Sequence, residues 1–279
     1  MRPPTGRCAP SSGVALKRSP AAVPSGRSAS LWWALPKNKP IVPFRDVRRN
    51  HHPIVGTLFL GQAGGFLVAQ QQRAQVTRER AIDGAAAVFA RLGYAAASIS
   101  DISTETGVSK GSLYFHFSSK EEIARAVIER EQELGKASAE RVIAASASSL
   151  EAVMGLCADF AHWMGTSILA RAGVRLTTET TTFDPPLRGP FEDWIPMIAA
   201  LLGGAAAEGD LRPDVDPETI AHFVIPAFTG VQMASGVLTD YQDLVRRVRE
   251  MWIVILPGMV LPERLEAAHA SLDRVLPEA

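Results

Sequence analysis

The chain has 279 residues, with 29 Lys and Arg balanced by 29 Asp and Glu. Residues 68–279 alone are long enough for a small domain and a larger domain with its own core. The only cysteines, Cys8 and Cys157, lie far apart and form no CxxC pair. This excludes a disulfide framework and a structural zinc site, and it suits the reduced cytoplasm.

The zero net charge hides an uneven distribution along the chain. Residues 1–67 hold ten Lys and Arg and one acid, for a charge of +9, whereas residues 68–279 carry −9. Within the second part, residues 68–130 carry +1 and the remainder carries −10. Residues 68–130 are therefore not a polycation, and affinity for nucleic acid would depend on a few placed contacts and helix N-termini.

Residues 1–67 contain nine of the nineteen prolines and show almost no helical periodicity, which predicts disorder. Arg48-Arg49 superficially resembles a twin-arginine export signal, and the acid-poor start resembles a transit peptide, but the export signal would lie too deep. The apolar stretch Ile54–Ala69 is too short and too rich in Gly and Gln for a membrane helix. We expect residues 1–67 to be mistranslated upstream sequence, with Val68 as the initiator. The alternative is a basic tail that adds nonspecific nucleic-acid affinity.

The first periodic segment is a helix from Thr77 to Leu92, with Gly93 as its C-terminal cap. Residues 99–117 then predict two short helices joined by a tight turn. Ser100 is expected to cap the first helix, Gly107 supplies the turn, and Ser109 caps the second helix.

The second short helix has two distinct faces. Leu113 and Phe117, four residues apart, share an apolar face. The opposite face is small, cationic and aromatic, and such a helix can enter the major groove of DNA. Its residues are Lys110, Gly111 and Tyr114, with Ser112 and His116 at the flanks. The alternative interpretation is an ordinary helical hairpin packed in a core.

The segment after this pair is a connector helix. Ser119 and Glu122 form the two ends of a predicted capping box that opens it. We therefore expect a three-helix DNA-binding head at 68–119 and a helical domain at 120–279. Strand signals are nearly absent, so the predicted fold class is all-α.

The second domain is expected to contain six helices, five of which can be placed. A stretch rich in Gly and Thr, from Gly173 to Phe183, is expected to end at a break, Asp184-Pro185-Pro186. Asp216 is the expected cap of one helix, with Pro217 at its first position. The placed helices are Lys120–Ala147, Leu150–Leu169, Pro190–Glu208, Pro217–Leu238 and Tyr241–Ile255.

The segment from Thr77 to about Glu133 resembles the N-terminal domain of TetR-family transcriptional regulators, over about a fifth of the chain. The matching residues are Ala87-Val88-Phe89, Gly93-Tyr94, Ile99-Ser100-Asp101-Ile102, Gly107 to Phe117 and Lys120-Glu121-Glu122. The remainder resembles the γ-butyrolactone (autoregulator) receptors of filamentous actinomycetes, through Arg171 to Thr177 and Pro190 to Trp194. The resemblance implies a homodimeric repressor that leaves operator DNA when a small diffusible lactone binds.

The resemblance also implies roles for individual residues. Lys110 is expected to contact base edges, with Gly111 allowing close approach, and the other expected DNA-binding residues are Ser100, Ser112, Tyr114, His116 and Lys120. Of these, Tyr114, His116 and Lys120 are expected to bind phosphates. The last two long helices of each protomer are expected to form a four-helix dimer interface. Their apolar stripes are Ile220, Val224, Ala227, Val231 and Ala234, then Val245, Val248, Trp252 and Ile255, although such stripes also suit an intramolecular core.

The expected ligand-binding residues are Trp194, Thr229 and Gln132. The indole of Trp194 offers a flat apolar face and one N–H donor for a lactone oxygen. Thr229 follows Pro226, which could kink its helix and open space. Gln132 could couple occupancy of the pocket to the position of the head. Each of the three could instead be an ordinary helix or core residue.

The predicted function is a ligand-responsive transcriptional repressor that controls secondary metabolism in the cytoplasm. A pseudo-receptor of the same fold, which senses an antibiotic, an intermediate or no small molecule, is the nearer alternative. An enzyme is not expected, because the sequence has no GxSxG, GxGxxG, P-loop or HExxH motif. No cofactor, metal or membrane partner is expected.

Overall fold

The computed structural model describes residues 60–179 and 189–278, which fall in one compact unit, Thr57–Ala279. Within these residues the chain forms ten α-helices and one 3₁₀ turn, with a single isolated β-bridge between Leu211 and Val260. The predicted all-α fold is confirmed. Residues 1–59 of the predicted N-terminal extension lie outside the described residues, and the proposed start at Val68 stays a prediction.

Three helices and the connector form the N-terminal part of the described chain. They are α1 (Leu60–Ala96), α2 (Ile99–Thr106), α3 (Lys110–His116) and α4 (Lys120–Ala145). Six more helices follow, with a 3₁₀ turn at Pro262–Arg264. They are α5 (Ser149–Thr166), α6 (Ile168–Glu179), α7 (Gly189–Ala207), α8 (Pro217–Thr239), α9 (Leu244–Met259) and α10 (Leu265–Val275).

Helix α1 begins at Leu60, seventeen residues before the predicted start at Thr77. The stretch between them contains no proline, and its Gln and Ala residues favour a helix once one has nucleated. Helical geometry is interrupted at Gly93, whose φ of 75° lies in the left-handed region. The predicted end of the helix at Gly93 is therefore close to the observed break.

The caps of the two short helices follow local chemistry. Ser98, not Ser100, caps α2, because its hydroxyl accepts from the Asp101 amide at 3.2 Å while Asp101 accepts from the Ser98 amide at 2.9 Å. The predicted cap at Ser100 is wrong, since Ser100 has no acidic residue three positions on with which to form this reciprocal pair. Gly107 has a φ of 68° and Ser109 caps α3, as predicted.

One half of the predicted capping box at the start of α4 is confirmed, and the other half is displaced. The Ser119 hydroxyl accepts from the Glu122 amide at 3.1 Å, which confirms Ser119 as the cap. The Glu122 carboxylate, however, accepts from the amide and the hydroxyl of Ser118, at 2.6 and 2.7 Å. The reciprocal half of the capping box is thus displaced by one residue.

The first part of the Gly- and Thr-rich stretch, where no helix was predicted, is helical, because α6 runs unbroken to Glu179. Gly173 is buried where α6 crosses α4, and a Cβ atom there would lie 2.6 Å from Cγ of Glu131. The glycine therefore permits two helices to approach closely instead of ending one. Residues 180–183 and the Asp184-Pro185-Pro186 break lie outside the described residues.

Other differences concern helix ends and counts. The predicted single helix Leu150–Leu169 is two, since α5 ends at Thr166 and α6 begins at Ile168. The Asp216 cap and Pro217 start of α8 are confirmed, with Asp216 accepting from the Thr219 amide at 3.0 Å. Helix α10 had no predicted bounds.

Two hydrophobic cores share two helices, α4 and α6. The head core contains Phe89, Ile102 and Leu113 together with Ala172 and Leu176 of α6. The second core is centred on fully buried side chains that include Met154, Leu202 and Trp252, and it also contains Ala170 of α6. Helix α4 likewise contributes Ile123 to the head core and Ala139 to the second core, so α4 and α6 together join the head to the larger domain.

The predicted stripes of α8 and α9 lie largely inside this second core. Val224, Val248 and Trp252 are fully buried within the chain itself. A different set of large apolar side chains on the same two helices is exposed: Phe223, Met233, Val237, Leu238, Ile253 and Val254. Helix α8 is also long and apolar enough to cross a membrane by length and composition alone, with 28% of that stretch buried.

Candidate DNA-binding surface and ligand cavity

Helix α3 presents the predicted face to solvent. Leu113 and Phe117 are buried against the head core, as predicted, whereas Lys110 and Gly111 are exposed and Tyr114 is 56% exposed. Ser112 and His116 are half-buried at the flanks, and Ser100 is exposed on α2. The structure therefore brings the six residues of the expected face onto the short helix pair, although their contacts with DNA stay predictions.

Phe115 belongs to this surface and was missed by the sequence analysis. Its side chain is 81% exposed, and its ring meets His116 edge-on with 5.1 Å between ring centroids. The available signal was its position in the helix, two residues from Leu113 and two from Phe117, which turns it away from the buried face.

Lys120 does not join the exposed face. Its Nζ atom donates to the carbonyl oxygens of Tyr94 and Ala97, at 2.7 and 2.9 Å, and lies 4.3 Å from the centroid of the Tyr94 ring. Burial lowers the pKa of Lys120. We correct the expected phosphate contact of Lys120, because its ammonium group is committed to the turn between α1 and α2.

The larger domain encloses a cavity of about 110 Å³ between helices α4 to α8. Most of its wall is apolar or aromatic, which is typical of small-molecule sites. The apolar and aromatic residues are Ala139, Leu156, Phe160, Val174, Phe191, Trp194, Ile198, Ile225 and Phe228. The polar and charged residues are Glu131, Asp159, Thr177, Thr178, Thr229 and Gln232, and Gly135 and Cys157 complete the wall.

Two of the three expected ligand residues border this cavity. Trp194 is half-buried on α7, and Thr229 borders the cavity while its hydroxyl donates to the Ile225 carbonyl at 2.9 Å. The Thr229 hydroxyl could therefore accept a hydrogen bond from a ligand without losing its own partner. Their contacts with a ligand stay predictions.

Gln132 does not border the cavity, and this expectation is corrected. On α4 the bordering positions are Glu131, Gly135 and Ala139, which repeat every four residues. Gln132 is rotated by about 100° from Glu131, so it points to another side of the helix. The predicted residue lies on the same turn of α4 as the wall residue Glu131 but on another side of the helix.

Glu131 and Gln232 are the polar wall residues that sequence reasoning missed. Only 7% of Glu131 and 4% of Gln232 is exposed. Both side chains border the cavity. The signal was present for Glu131, because it lies four residues before Gly135 on the side of α4 that faces the other helices.

Helix α6 links the cavity to the head through two charged residues. Arg175 donates to the carbonyl oxygens of Ala90 and Arg91, at 2.9 and 3.1 Å, and Glu179 accepts from the Tyr94 amide at 3.1 Å. The two side chains also pair with each other at 2.6 Å. We call this arrangement the α1 clasp, and it holds the end of α1 at the Gly93 break.

In the described part of the chain, no cluster of three or more His, Cys, Asp or Glu side chains has a metal-binding arrangement. Burial raises the pKa of the Cys157 thiol to about 12, so this wall residue stays neutral and unreactive. The apolar wall of the cavity and its few polar groups suit the noncovalent recognition of a small molecule.

A capped helix pair with an exposed second helix, on a head tied to a domain with an apolar cavity, defines a helix-turn-helix transcriptional regulator. Two family models match the sequence. Residues 81–127 match "Bacterial regulatory proteins, tetR family", and residues 147–261 match "Tetracyclin repressor-like, C-terminal domain". The chain belongs to the TetR family.

Relatives narrow this assignment. The A-factor receptor protein of Streptomyces griseus is 35% identical over 195 residues, which are 70% of this chain and 68% of the relative. The CprB protein of Streptomyces coelicolor, solved with its operator sequence, has a TM-score of 0.66 at 33% identity. A solved gamma-butyrolactone receptor described as ArpA-like has a TM-score of 0.65 at 32% identity. Each match covers 74% of this chain and 100% of the solved chain.

The protein is therefore a TetR-type transcriptional repressor related to gamma-butyrolactone receptors. This family is one of DNA-binding regulators and not a class of enzymes.

Proposed function

We propose that this protein is a homodimeric cytoplasmic repressor that binds a palindromic operator and is released by a γ-butyrolactone-type signal. Its targets would be genes of secondary metabolism. The observation that carries the proposal is the position of α6, which borders the apolar cavity with Val174 and Thr177 and holds the head through the α1 clasp. A ligand that moves α6 would therefore move the head.

The exposed apolar set on α8 and α9 supports the dimer. Val237 is 87% exposed and Val254 is 79% exposed, and both lie on helices whose other faces are in the core. Monomeric proteins rarely leave such a set uncovered, so a second copy of the same two helices is a suitable cover. The same face accounts for the apolar composition of α8 without a membrane.

The head supports recognition of two half-sites. In a dimer, two copies of α3 separated by one turn of DNA, ~34 Å, would enter successive major grooves. Lys110 would read a base edge, Gly111 would permit close approach, and Tyr114 and His116 would bind phosphates. Because residues 68–130 carry a net charge of only +1, affinity would depend on these contacts in both protomers.

Release would be a shift between two states of the dimer. A ligand can change the balance only by its difference in affinity for the two states. In this mechanism the occupied cavity favours a position of α6 and α4 that sets the heads too far apart for successive grooves.

The test is a gel shift of the full-length chain on DNA from upstream of its own gene and of its neighbours. Each lane is repeated with a butyrolactone-containing extract of an actinomycete culture. We expect a shift that the extract abolishes. The Trp194→Ala variant should keep operator binding and lose the response.

A shift that persists with every butyrolactone would leave operator binding intact and favour the pseudo-receptor. The absence of a shift on all promoters tested would contradict the proposed repressor function for these genes.

A further inference from the structure

Two buried polar side chains face the cavity with unmet hydrogen-bonding capacity, Glu131 from α4 and Gln232 from α8. Neither makes a hydrogen bond or an ion pair with any residue that the structure describes. Buried carboxyl and amide groups in folded proteins almost always have such partners. A partner that enters the cavity would explain why both groups are placed there.

The Glu131 side chain is held in place by the crossing of α4 and α6. A Cβ atom at Gly173 would lie 2.6 Å from Cγ and 3.0 Å from Cδ of Glu131. The side chain is therefore packed directly on the backbone of α6. Only 7% of the residue is exposed, so its carboxyl group meets solvent mainly through the cavity.

The carboxyl group of Glu131 and the indole of Trp194 both lie close to Gly135 on the cavity wall. The Cβ position of Gly135 is 4.0 Å from Oε1 of Glu131 and 3.7 Å from Cζ2 of Trp194. Gly135 lies one turn after Glu131 on α4. Because it has no side chain, it leaves the space between the indole edge and the carboxyl oxygen unfilled. A ligand lying against Trp194 would be within reach of the carboxyl group.

No Lys, Arg or His contributes to the cavity wall among the described residues. The second carboxyl group, that of Asp159 on α5, accepts a hydrogen bond from the Ser138 hydroxyl at 2.6 Å. On the other side of α4, Lys136 pairs with Asp193 of α7 at 2.8 Å. None of Asp159, Lys136 and Asp193 is paired with Glu131.

The cations of α6 are also committed elsewhere. Arg171 donates to the carbonyl oxygens of Met164 and Gly165, and Arg175 belongs to the α1 clasp. Helix α8 brings only the uncharged Thr229 and Gln232 among its polar side chains to the wall. Without a cation, burial raises the pKa of Glu131 to about 7, so its neutral form is well populated at physiological pH.

We propose that Glu131 is a ligand-binding residue whose protonated carboxyl group donates a hydrogen bond to a carbonyl oxygen of a neutral ligand, while Gln232 binds a second oxygen of the same molecule. The inference rests on the proposed function and specifies the ligand as uncharged, with at least two oxygen atoms and an apolar part. A carboxylate in this position would lack a counter-cation, whereas a carboxylic acid and a carbonyl group satisfy each other.

The test compares three small probes with a shared hexyl tail. They are γ-decalactone, 2-hexyltetrahydrofuran, which lacks the carbonyl oxygen, and 2-hexylpyrrolidine, which is a cation. Binding to the full-length chain is measured by titration calorimetry at pH 6 and pH 8. For the wild type we expect lactone binding to be about tenfold weaker at pH 8, because only the protonated carboxyl group binds it. The ether should bind more weakly than the lactone, because it offers one oxygen atom to Glu131 and Gln232 instead of two.

The decisive variant is Glu131→Gln, whose amide donates a hydrogen bond at both pH values. It should bind the lactone at pH 8 about as tightly as the wild type does at pH 6. The matched control is Glu140→Gln, which removes the same charge from an exposed position on α4 and should keep the tenfold pH effect. Operator binding of every variant, measured in parallel, reports whether it is folded.

Four results would overturn the inference. If the tenfold pH effect persists in Glu131→Gln, the group that titrates is not Glu131. If the wild type binds the lactone equally at both pH values, no group that titrates in this range controls binding. Tighter binding of the pyrrolidine than of the lactone would make Glu131 the partner of a cation. If the lactone binds no form of the protein at either pH, the proposed butyrolactone response fails together with this inference.

Discussion

The residues that would contact DNA lie mainly within α3, a helix of seven residues, whereas the cavity wall takes residues from five helices between Glu131 and Gln232. The functional side chains of α3 are exposed or half-buried and cost the fold little. Two polar residues of the cavity wall, Glu131 and Gln232, are buried and have no hydrogen-bond partner in the described chain. We therefore expect the ligand site, and not the DNA-binding surface, to lower the free energy of unfolding.

The largest expected effect concerns Glu131 in the absence of ligand. Its pKa of about 7 lies above the ordinary value of 4.5, so the folded state binds the proton more tightly than the unfolded state. The free energy of unfolding should therefore decrease as pH rises from about 4.5 to about 7 and level off above that. Glu131→Gln should remove this loss and stabilise the protein by about 3 kcal/mol at pH 8, with little change near pH 4.5.

Urea unfolding at a series of pH values measures this difference, with Glu140→Gln as the control for a lost charge. If both variants change the free energy of unfolding equally at pH 8, the burial of Glu131 in the cavity does not reduce stability. The ligand site and the DNA-binding surface would then not differ in this respect.

The Lys110→Ala variant tests the DNA-binding surface of α3, the second region of the comparison. Lys110→Ala should weaken binding to the operator by about 1–3 kcal/mol more than binding to scrambled DNA, because a base-edge contact is lost. The free energy of unfolding should stay within about 0.5 kcal/mol of the wild type, since the side chain is exposed. Fluorescence anisotropy on both DNAs gives the result, and equal losses would contradict the base-edge assignment.

Gly84 tests whether the head is packed as closely as the cavity wall at Gly173. A Cβ atom at Gly84 would lie 2.1 Å from Cγ2 of Thr106, so Gly84→Ala should force α1 and α2 apart. We expect a net destabilisation of about 1–2 kcal/mol, after the better helix propensity of alanine offsets part of the overpacking. Adding Thr106→Ser, which removes Cγ2 and keeps the hydroxyl, should restore stability in thermal unfolding. No recovery in the double variant would show that the methyl group is not the obstacle.

Lys120 gives the smallest expected effect and separates a structural cation from a DNA-binding one. Lys120→Ala should lower the free energy of unfolding by about 1 kcal/mol, because two backbone carbonyl groups lose a donor. Operator affinity measured against salt concentration should keep the wild-type slope. A slope reduced by about one would instead indicate a lost phosphate contact and restore the original expectation for Lys120.

The helix-turn-helix could be predicted closely because its signals are local. Gly107 and Ser109 act through partners within four residues, and Leu113 and Phe117 lie one helical turn apart. Ser98 was missed as a cap because its partner, Asp101, was not considered with it. The cavity was predicted only in part, because Trp194 and Thr229 face it while Gln132 does not.

The amino-acid sequence by itself determined the all-α class, the two-part organisation and the exposed face of α3, since helix periodicity and caps depend on neighbouring residues. Only the tertiary structure decided the directions of Lys120 and Glu131 and the role of Gly173. These depend on how α4 packs against α1 and α6, which are joined to it by residues distant in the sequence. A side chain's partner across two helices cannot be determined from the spacing within one.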